Sequence, residues 1–201
     1  GLSIGGDIST TKYLTVTGVT FIQSGTDNLI QFQILGTNGD PDTSPAFVVK
    51  VDSQAPGAPI GLAASPAGWS GTNSFTLTWT NPADISGIAG AYYKIGTAPS
   101  SPTDGTFAAG AGLNSISGIS VPSEGTHTLY LWLKDTAGNV QHTSAVTVTL
   151  RYDGTAPAAP TGVTANPATW TNINDFGLSW SNPADTSGIA GVYYKLDSPP
   201  T

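Results

Sequence analysis

Side chains with carboxylate or amide oxygens recur at the predicted turns, and they are the groups in this chain best suited to chemistry. Six of them stand out: Asp52, Asp84, Asp135, Asn139, Asp153 and Asp185. Oxygen ligands that converge from several loops are what Ca²⁺ binds. The alternative is that each aspartate caps its own turn by accepting backbone hydrogen bonds, which is a common use of Asp in turns.

The histidines and the glutamate do not suggest a catalytic arrangement. His127 and His142 both fall on predicted strands, and the chain has no Gly-x-Ser-x-Gly motif for a nucleophile. Glu124 is the only glutamate. Nearly all the acidic residues fall in turns, whereas glycoside hydrolysis needs two carboxylates paired across a cleft. We therefore predict that the chain is not an enzyme.

Composition excludes several classes of partner and cofactor. The net charge is −7, with 6 basic and 13 acidic residues, so the chain lacks the basic surface of a nucleic-acid-binding protein. No apolar run approaches the ~20 residues that span a membrane. The absence of cysteine excludes disulfides and thiolate metal sites. We predict no cofactor other than the possible Ca²⁺.

A repeated stretch defines the elements that must position these side chains. Residues 52–100 align without a gap with residues 153–201, and 27 of the 49 positions are identical. A repeat of about 100 residues is typical of a whole β-sandwich domain. Within residues 52–152, short alternating apolar runs are separated by turns every 8–12 residues or so. This pattern predicts an all-β, antiparallel, seven-stranded sandwich.

The repeat predicts one complete domain between two halves. Residues 52–152 form the complete sandwich, and residues 153–201 repeat its N-terminal half. Residues 1–51 are predicted to be the C-terminal half of another sandwich. Their order of strand, turn and long strand matches the order in residues 126–153.

Several motifs resemble tandem bacterial and archaeal immunoglobulin-like repeats, which are similar to fibronectin type III domains. The resemblance rests on three motifs: Leu-x-Trp at 77–79, Asn-Pro-Ala-Asp at 81–84 and Gly-Ile-Ala-Gly-Ala-Tyr-Tyr at 87–93. The turn Asp-Thr-Ala-Gly-Asn at 135–139 is similar to the turn after strand F in such repeats. The resemblance implies a sandwich in tandem arrays at the cell surface or outside the cell. There is no Arg-Gly-Asp, so it does not imply integrin binding.

The resemblance also places the oxygen side chains. In a sandwich of this topology, the loop after the second strand, the loop after the sixth and the incoming linker meet at one end. Asp52, Asp84, Asp135 and Asn139 would then lie together, and Asp153 and Asp185 would play the same parts in the second copy. A Ca²⁺ ion bound there would stiffen the junction between domains.

Aromatic residues on two strands form a second candidate site. The leucines at 129, 131 and 133 are predicted to face the core, so Tyr130 and Trp132 must point outward because side chains alternate along a strand. Tyr92 is predicted to point outward on a neighbouring strand. An exposed strip of this kind binds sugar rings or another protein. The alternatives are cross-strand pairing that stabilises the sheet and lateral contact between chains.

We interpret the chain as a structural repeat segment of a prokaryotic cell-surface or extracellular protein, such as a fibre, stalk or adhesin. Its predicted partners are neighbouring repeats or other copies of itself, and surface glycans. The two halves could complete each other head to tail between chains, which would build a filament. Alternatively, they belong to a longer repeat chain. The rival function is an accessory carbohydrate- or protein-binding module of a secreted enzyme.

Overall fold

The computed structural model describes residues 28–30, 33–35, 41–43 and 47–197. All of the described elements are β-strands, apart from one 3₁₀ turn at His142–Ser144. The predicted all-β class is therefore confirmed at this level. The chain divides into two compact units, Gly1–Ser53 and Gln54–Thr201. In the part of the chain that is described, no helix has the length and hydropathy needed to cross a membrane.

The described residues of the first unit form two short antiparallel strand pairs. Strand β1 (Asn28–Ile30) pairs with β4 (Phe47–Val49), and β2 (Gln33–Leu35) pairs with β3 (Pro41–Thr43). Most of residues 1–51 lie outside the described part. The assignment of these residues as half of a sandwich therefore stays a prediction.

The second unit contains eight strands before residue 153, arranged in two sheets. They are β5 (Ile60–Ser65), β6 (Trp69–Ser70), β7 (Phe75–Thr80), β8 (Ile88–Ile95), β9 (Thr106–Ala109), β10 (Ser115–Ile119), β11 (Gly125–Asp135) and β12 (Val146–Tyr152). One sheet has the order β10-β7-β5, and the other has the order β6-β12-β11-β8-β9. Neighbouring strands are antiparallel, except that β6 runs parallel to β12.

The predicted number of seven strands is not confirmed for residues 52–152, where the structure has seven longer strands and one additional short strand. The additional strand, β6, is only two residues long, and it pairs Trp69 with Arg151 and Ser70 with Tyr152. Two residues carry no measurable alternation, so the apolar pattern could not reveal this strand. The last strand, β12, begins only at Val146. Val140 makes only an isolated bridge to Lys134, and the 3₁₀ turn separates it from β12.

The core draws buried apolar side chains from both sheets. From one sheet, β7 contributes Phe75, Leu77 and Trp79, which alternate along the strand. From the other sheet, β11 contributes the leucines at 129, 131 and 133, and all three are buried. Every second residue of a strand points to the same face, so these two runs present continuous apolar faces. Two sheets that share one core are consistent with a β-sandwich.

The rest of the second unit, up to residue 197, is an antiparallel pair of strands. Strand β13 (Thr161–Asn166) pairs with β14 (Gly177–Ser181), and all residues of both strands are exposed. The predicted domain boundary between residues 152 and 153 stays a prediction, because both sides of it belong to one compact unit.

Leu131→Ala should lower the free energy of unfolding by about 2–5 kcal/mol, because it leaves a cavity at a fully buried position. Denaturant unfolding followed by tryptophan fluorescence measures this loss. The control is Thr149→Ala, at an exposed position on the neighbouring strand β12, which should change stability by no more than about 0.5 kcal/mol. Equal losses in the two variants would show that Leu131 is not part of the core.

Candidate functional site

The loop between β7 and β8 is organised by the carboxylate of Asp84. Its Oδ1 accepts hydrogen bonds from Ser86 N at 3.1 Å, Ser86 Oγ at 3.2 Å and Gly87 N at 2.9 Å. Gly87 has a φ of 80°, a backbone conformation that glycine adopts readily. Asp84 thus caps its own turn, as in the alternative considered from the sequence.

The turn after β11 is organised in the same way by Asp135, which is fully buried. Oδ1 of Asp135 accepts hydrogen bonds from Gly138 N at 2.6 Å and Asn139 N at 2.7 Å. Oδ2 accepts a third from Asn139 Nδ2 at 2.7 Å. Burying a carboxylate is costly unless it is hydrogen-bonded, and these three donors offset that cost.

The two turns dock against each other. Thr136 N donates to Gly87 O at 2.8 Å, and Ala137 N donates to Ser86 Oγ at 3.3 Å. As a result, a carboxylate oxygen of Asp84 and one of Asp135 lie within 4.8 Å of each other. The structure thus brings together Asp84, Asp135 and Asn139 from the predicted set. Asp52 belongs to the first unit, so its role as a ligand stays a prediction.

The predicted calcium ligands Asp84 and Asp135 of the second unit already accept hydrogen bonds. Ca²⁺ takes about six to eight oxygen ligands. Both carboxylate oxygens of Asp135 already accept hydrogen bonds, and Asn139 turns its amide nitrogen, not its oxygen, towards Asp135. Turn capping accounts for these contacts without an ion. Calcium binding stays a prediction.

In the second copy, one serine joins the linker aspartate to the loop aspartate. The backbone N of Ser187 lies 2.9 Å from Asp153 Oδ2 and 3.1 Å from Asp185 Oδ1. The Ser187 hydroxyl also donates to Asp185 Oδ1, at 3.1 Å. Hydrogen bonding by Ser187 holds the pKa of Asp153 below its ordinary value of 3.8, although burial acts in the opposite direction. Ser187 therefore joins Asp153 to Asp185, and their role as calcium ligands stays a prediction.

Glu124 adds a contact to this linker that sequence reasoning missed. Its Oε1 accepts hydrogen bonds from Gly154 N at 2.9 Å and Thr155 Oγ1 at 2.7 Å. Asp153 N donates to Ser70 O at 2.9 Å. Residues 153–155 are thus bonded to residues of the complete repeat on one side and to Ser187 on the other; we call them the joint. The one available signal was that Glu124 is the only glutamate in the chain.

The predicted exposure of the aromatic strip is wrong. Trp132 is fully buried, Tyr92 is 8% exposed and Tyr130 is half-buried. The predicted alternation holds, because Tyr92 and Trp132 lie opposite each other on β8 and β11, on the face away from the leucines. What the prediction missed is a second layer that covers this face.

That layer consists of β9 and the loop before it. Trp132 stacks on Tyr92 with ring centroids 5.5 Å apart, and Tyr92 contacts Phe107 of β9 at 4.7 Å. Trp132 Nε1 donates to Pro102 O at 2.8 Å. A Cβ at Gly105 would lie 2.6 Å from the Trp132 ring, so the chain passes directly over it. Cross-strand aromatic pairing, the alternative noted above, describes this cluster.

Asp104 holds the covering loop in place. Its Oδ2 accepts hydrogen bonds from Lys94 Nζ at 2.8 Å, Ser100 N at 2.7 Å and Ser100 Oγ at 2.8 Å. These contacts, with Lys94 foremost, hold the pKa of Asp104 far below its usual range. The carboxylate is therefore ionised at neutral pH and keeps the loop closed over the aromatic rings.

The fold and the site together define an all-β protein whose acidic side chains cap turns and join repeats. No family model matches the chain. The chain is 34% identical over 149 residues to a protein named Chitinase A1 from Niallia circulans. The aligned part is 72% of this chain but only 19% of that chitinase, so the match spans about a fifth of its length.

Asp135→Ala should lower the free energy of unfolding by about 1–3 kcal/mol, because buried N–H groups lose their acceptor. The loss should be equal in EDTA and in calcium, as measured by denaturant unfolding. Asn139→Ala is the matched control, since it removes one side-chain donor and keeps both backbone bonds to Asp135. A stabilisation by calcium that disappears in Asp84→Asn would show instead that these carboxylates bind the ion.

Trp132→Ala should lower the free energy of unfolding by about 3–5 kcal/mol, because the ring fills a covered space between β11 and the loop. Tyr130→Ala, on the same strand but half-buried, is the control and should cost less. Thermal and denaturant unfolding measure both. If Trp132→Ala left stability unchanged, the ring would be a free surface group and the sugar-binding interpretation would be restored.

Proposed function

We propose that the chain is a non-catalytic spacer of immunoglobulin-like, fibronectin type III-like repeats within a secreted enzyme that acts on polysaccharide. The chain is similar to a part of a chitinase that makes up only 19% of that protein. A match to so small a part supports a module within a larger enzyme. The three-stranded and five-stranded sheets around one core support membership of the sandwich family. An extracellular location is part of the same proposal.

The spacer role rests on the joint at residues 153–155. A linker between domains that makes no contacts behaves as a flexible chain. Here the linker is bonded through Glu124 and Ser70 to the complete repeat, and through Asp153 to Ser187 of the next copy. Hydrogen bonds on both sides limit the directions in which the second copy can move. Such a joint would hold neighbouring domains at a defined separation.

Burial of the aromatic strip favours a spacer over a carbohydrate-binding module. Sugar binding through Tyr92, Tyr130 and Trp132 needs exposed rings, but two of the three are buried beneath Phe107 and the 96–105 loop. A glycan could reach Trp132 only if that loop opened. The bond between Asp104 and Lys94 opposes such opening.

The interpretation as a cell-surface stalk, fibre or adhesin stays a prediction and shares the same mechanism of spacing. Head-to-tail completion by residues 1–51 of another copy also stays a prediction, because the side chains of most of those residues lie outside the described part. Ca²⁺ at the junctions would add stiffness. The joint at residues 153–155 does not depend on it.

Asp153→Ala should loosen the joint, because it removes the acceptor for Ser187 N and Thr155 N. Amide ¹⁵N relaxation at residues 154–160 should show order parameters falling from about 0.85 to below about 0.6. The pKa of Asp153 is lowered in the folded chain. Its stabilising contribution is therefore complete above about pH 4 and is lost as the pH falls through the lower, folded-state pKa.

Asp175→Ala, at an exposed position just before β14, is the control for this variant and should leave these amides unchanged. Unaltered order in Asp153→Ala would contradict the stiff joint. Retention of the unaltered chain on insoluble chitin would contradict the spacer role and support a binding module.

A further inference from the structure

The basic residues of the complete repeat lie on one face of the five-stranded sheet. They are Lys94, Lys134 and Arg151. Directly paired residues of neighbouring strands point to the same side of a sheet. Lys94 pairs with Tyr130 and Arg151 pairs with Thr126, and both of these β11 residues lie an even number of positions from Lys134. We call this side of the sheet, which turns away from the leucines of β11, the outer face.

An exposed aromatic ring lies beside two of these cations. Trp69 of β6 pairs with Arg151 of β12. Lys134 Nζ lies 5.5 Å from the centre of the Phe107 ring. Trp69 and Phe107 are each 39% exposed, and the half-buried Tyr130 lies between the two pairs along β11. The outer face therefore has flat apolar surface next to positive charge at both ends of β11.

The same two cations are free of ion pairs. Lys94 is neutralised by Asp104, with Nζ and Oδ2 2.8 Å apart, whereas Lys134 and Arg151 form no ion pair with another described residue. Thr126, which lies opposite Arg151, is eight positions before Lys134 on β11. At about 3.4 Å per residue, this separation is about 27 Å. A small anion cannot contact both cations, so a ligand that uses both must be an extended polymer.

The outer face presents side chains and no free backbone edge along β11. This strand is paired on both sides, so a peptide cannot add to it by backbone hydrogen bonds. The hydroxyls of Thr128, Thr147 and Thr149 lie on the outer face between the two cations. Nucleic acid would need a denser basic surface, because its phosphates lie about 3.4 Å apart along each strand. Hydroxyls, exposed rings and widely spaced cations fit a sugar polymer that carries few charges.

We propose that the outer face binds an acidic polysaccharide, an extended chain of sugars with carboxylates at intervals. Sugar rings would stack on Trp69 and Phe107, and carboxylates would pair with Arg151 and Lys134. This inference goes beyond the spacer role and does not depend on it. The order of residues 154–160 tests the spacer role separately.

The probe is partly methyl-esterified polygalacturonate, immobilised on a biosensor and exposed to the full chain. Binding should be clear at low ionic strength and should disappear at about 1 M salt, where the Debye length falls to about 3 Å. Fully methyl-esterified polygalacturonate has the same backbone without the charges. It is the ligand control and should bind much more weakly.

Surface variants test the two ends of the face. Arg151→Gln and Lys134→Gln should each weaken binding about two- to fivefold, as expected for an exposed ion pair, and the double variant about tenfold or more. Trp69→Ala should weaken binding as well, because a sugar ring loses its stacking partner. Lys195→Gln, at an exposed position of the second copy, makes the same change in net charge and should keep full affinity. Thermal unfolding checks that each variant stays folded.

Four results would overturn the proposal: no binding of the partly esterified polymer, equal binding of the fully esterified polymer, an equal loss in Lys195→Gln, or equal binding of single-stranded DNA. The last would show a general surface for polyanions. Salt-sensitive binding of the partly esterified polymer that is lost in the double variant and kept in Lys195→Gln would support the proposal.

Discussion

The alternation of side chains along β11 is the constraint on which the complete repeat depends. This strand has 11 residues and lies between β12 and β8, so both of its edges are paired. Its leucines at 129, 131 and 133 form one wall of the core, and Trp132 on the opposite face anchors a second cluster. Shifting the register of β11 by one residue would exchange the two faces and disrupt both clusters at once.

The two faces of β11 show how far alternation can be used to predict burial. It placed the leucines on one side and Tyr130 and Trp132 on the other, and the structure has that arrangement. It could not show that Trp132 is covered. The cover comes from Phe107 and from a loop that contains Pro102 and Asp104 and has no periodic pattern. Loop contacts between residues 30 positions apart leave no signal in a local apolar pattern.

For the acidic residues too, the sequence predicted their place in turns but not the groups to which they are hydrogen-bonded. Their placement in turns followed from the neighbouring glycine, proline and asparagine residues. The docking of the Asp84 turn on the Asp135 turn depends on backbone bonds from Thr136 and Ala137, which no residue type specifies. Glu124 was missed for the same reason, since its partners Gly154 and Thr155 are 30 and 31 residues away. Side chains that look like metal ligands in the sequence are largely engaged with their own backbone.

The two copies of the repeat share local structure but differ in the burial of their apolar side chains. The two copies have the same pairing of their first two strands, the same tryptophan bond and the same aspartate–serine contact in the following loop. Yet Leu77 is buried and Leu178 is exposed. The pairing of the first two strands and the contacts of the following turn are thus the same in the two copies, whereas the burial of the apolar face differs. Burial of the apolar face depends instead on residues more than 50 positions further along, as at β11 and β12 in the complete copy. Residues 189–196 follow the same logic. They carry the tyrosines and the lysine of β8 but form no strand, whereas β8 in the complete copy lies between β11 and β9. In the complete copy, the apolar face of β7 is buried because its core partners on β11 belong to the other sheet.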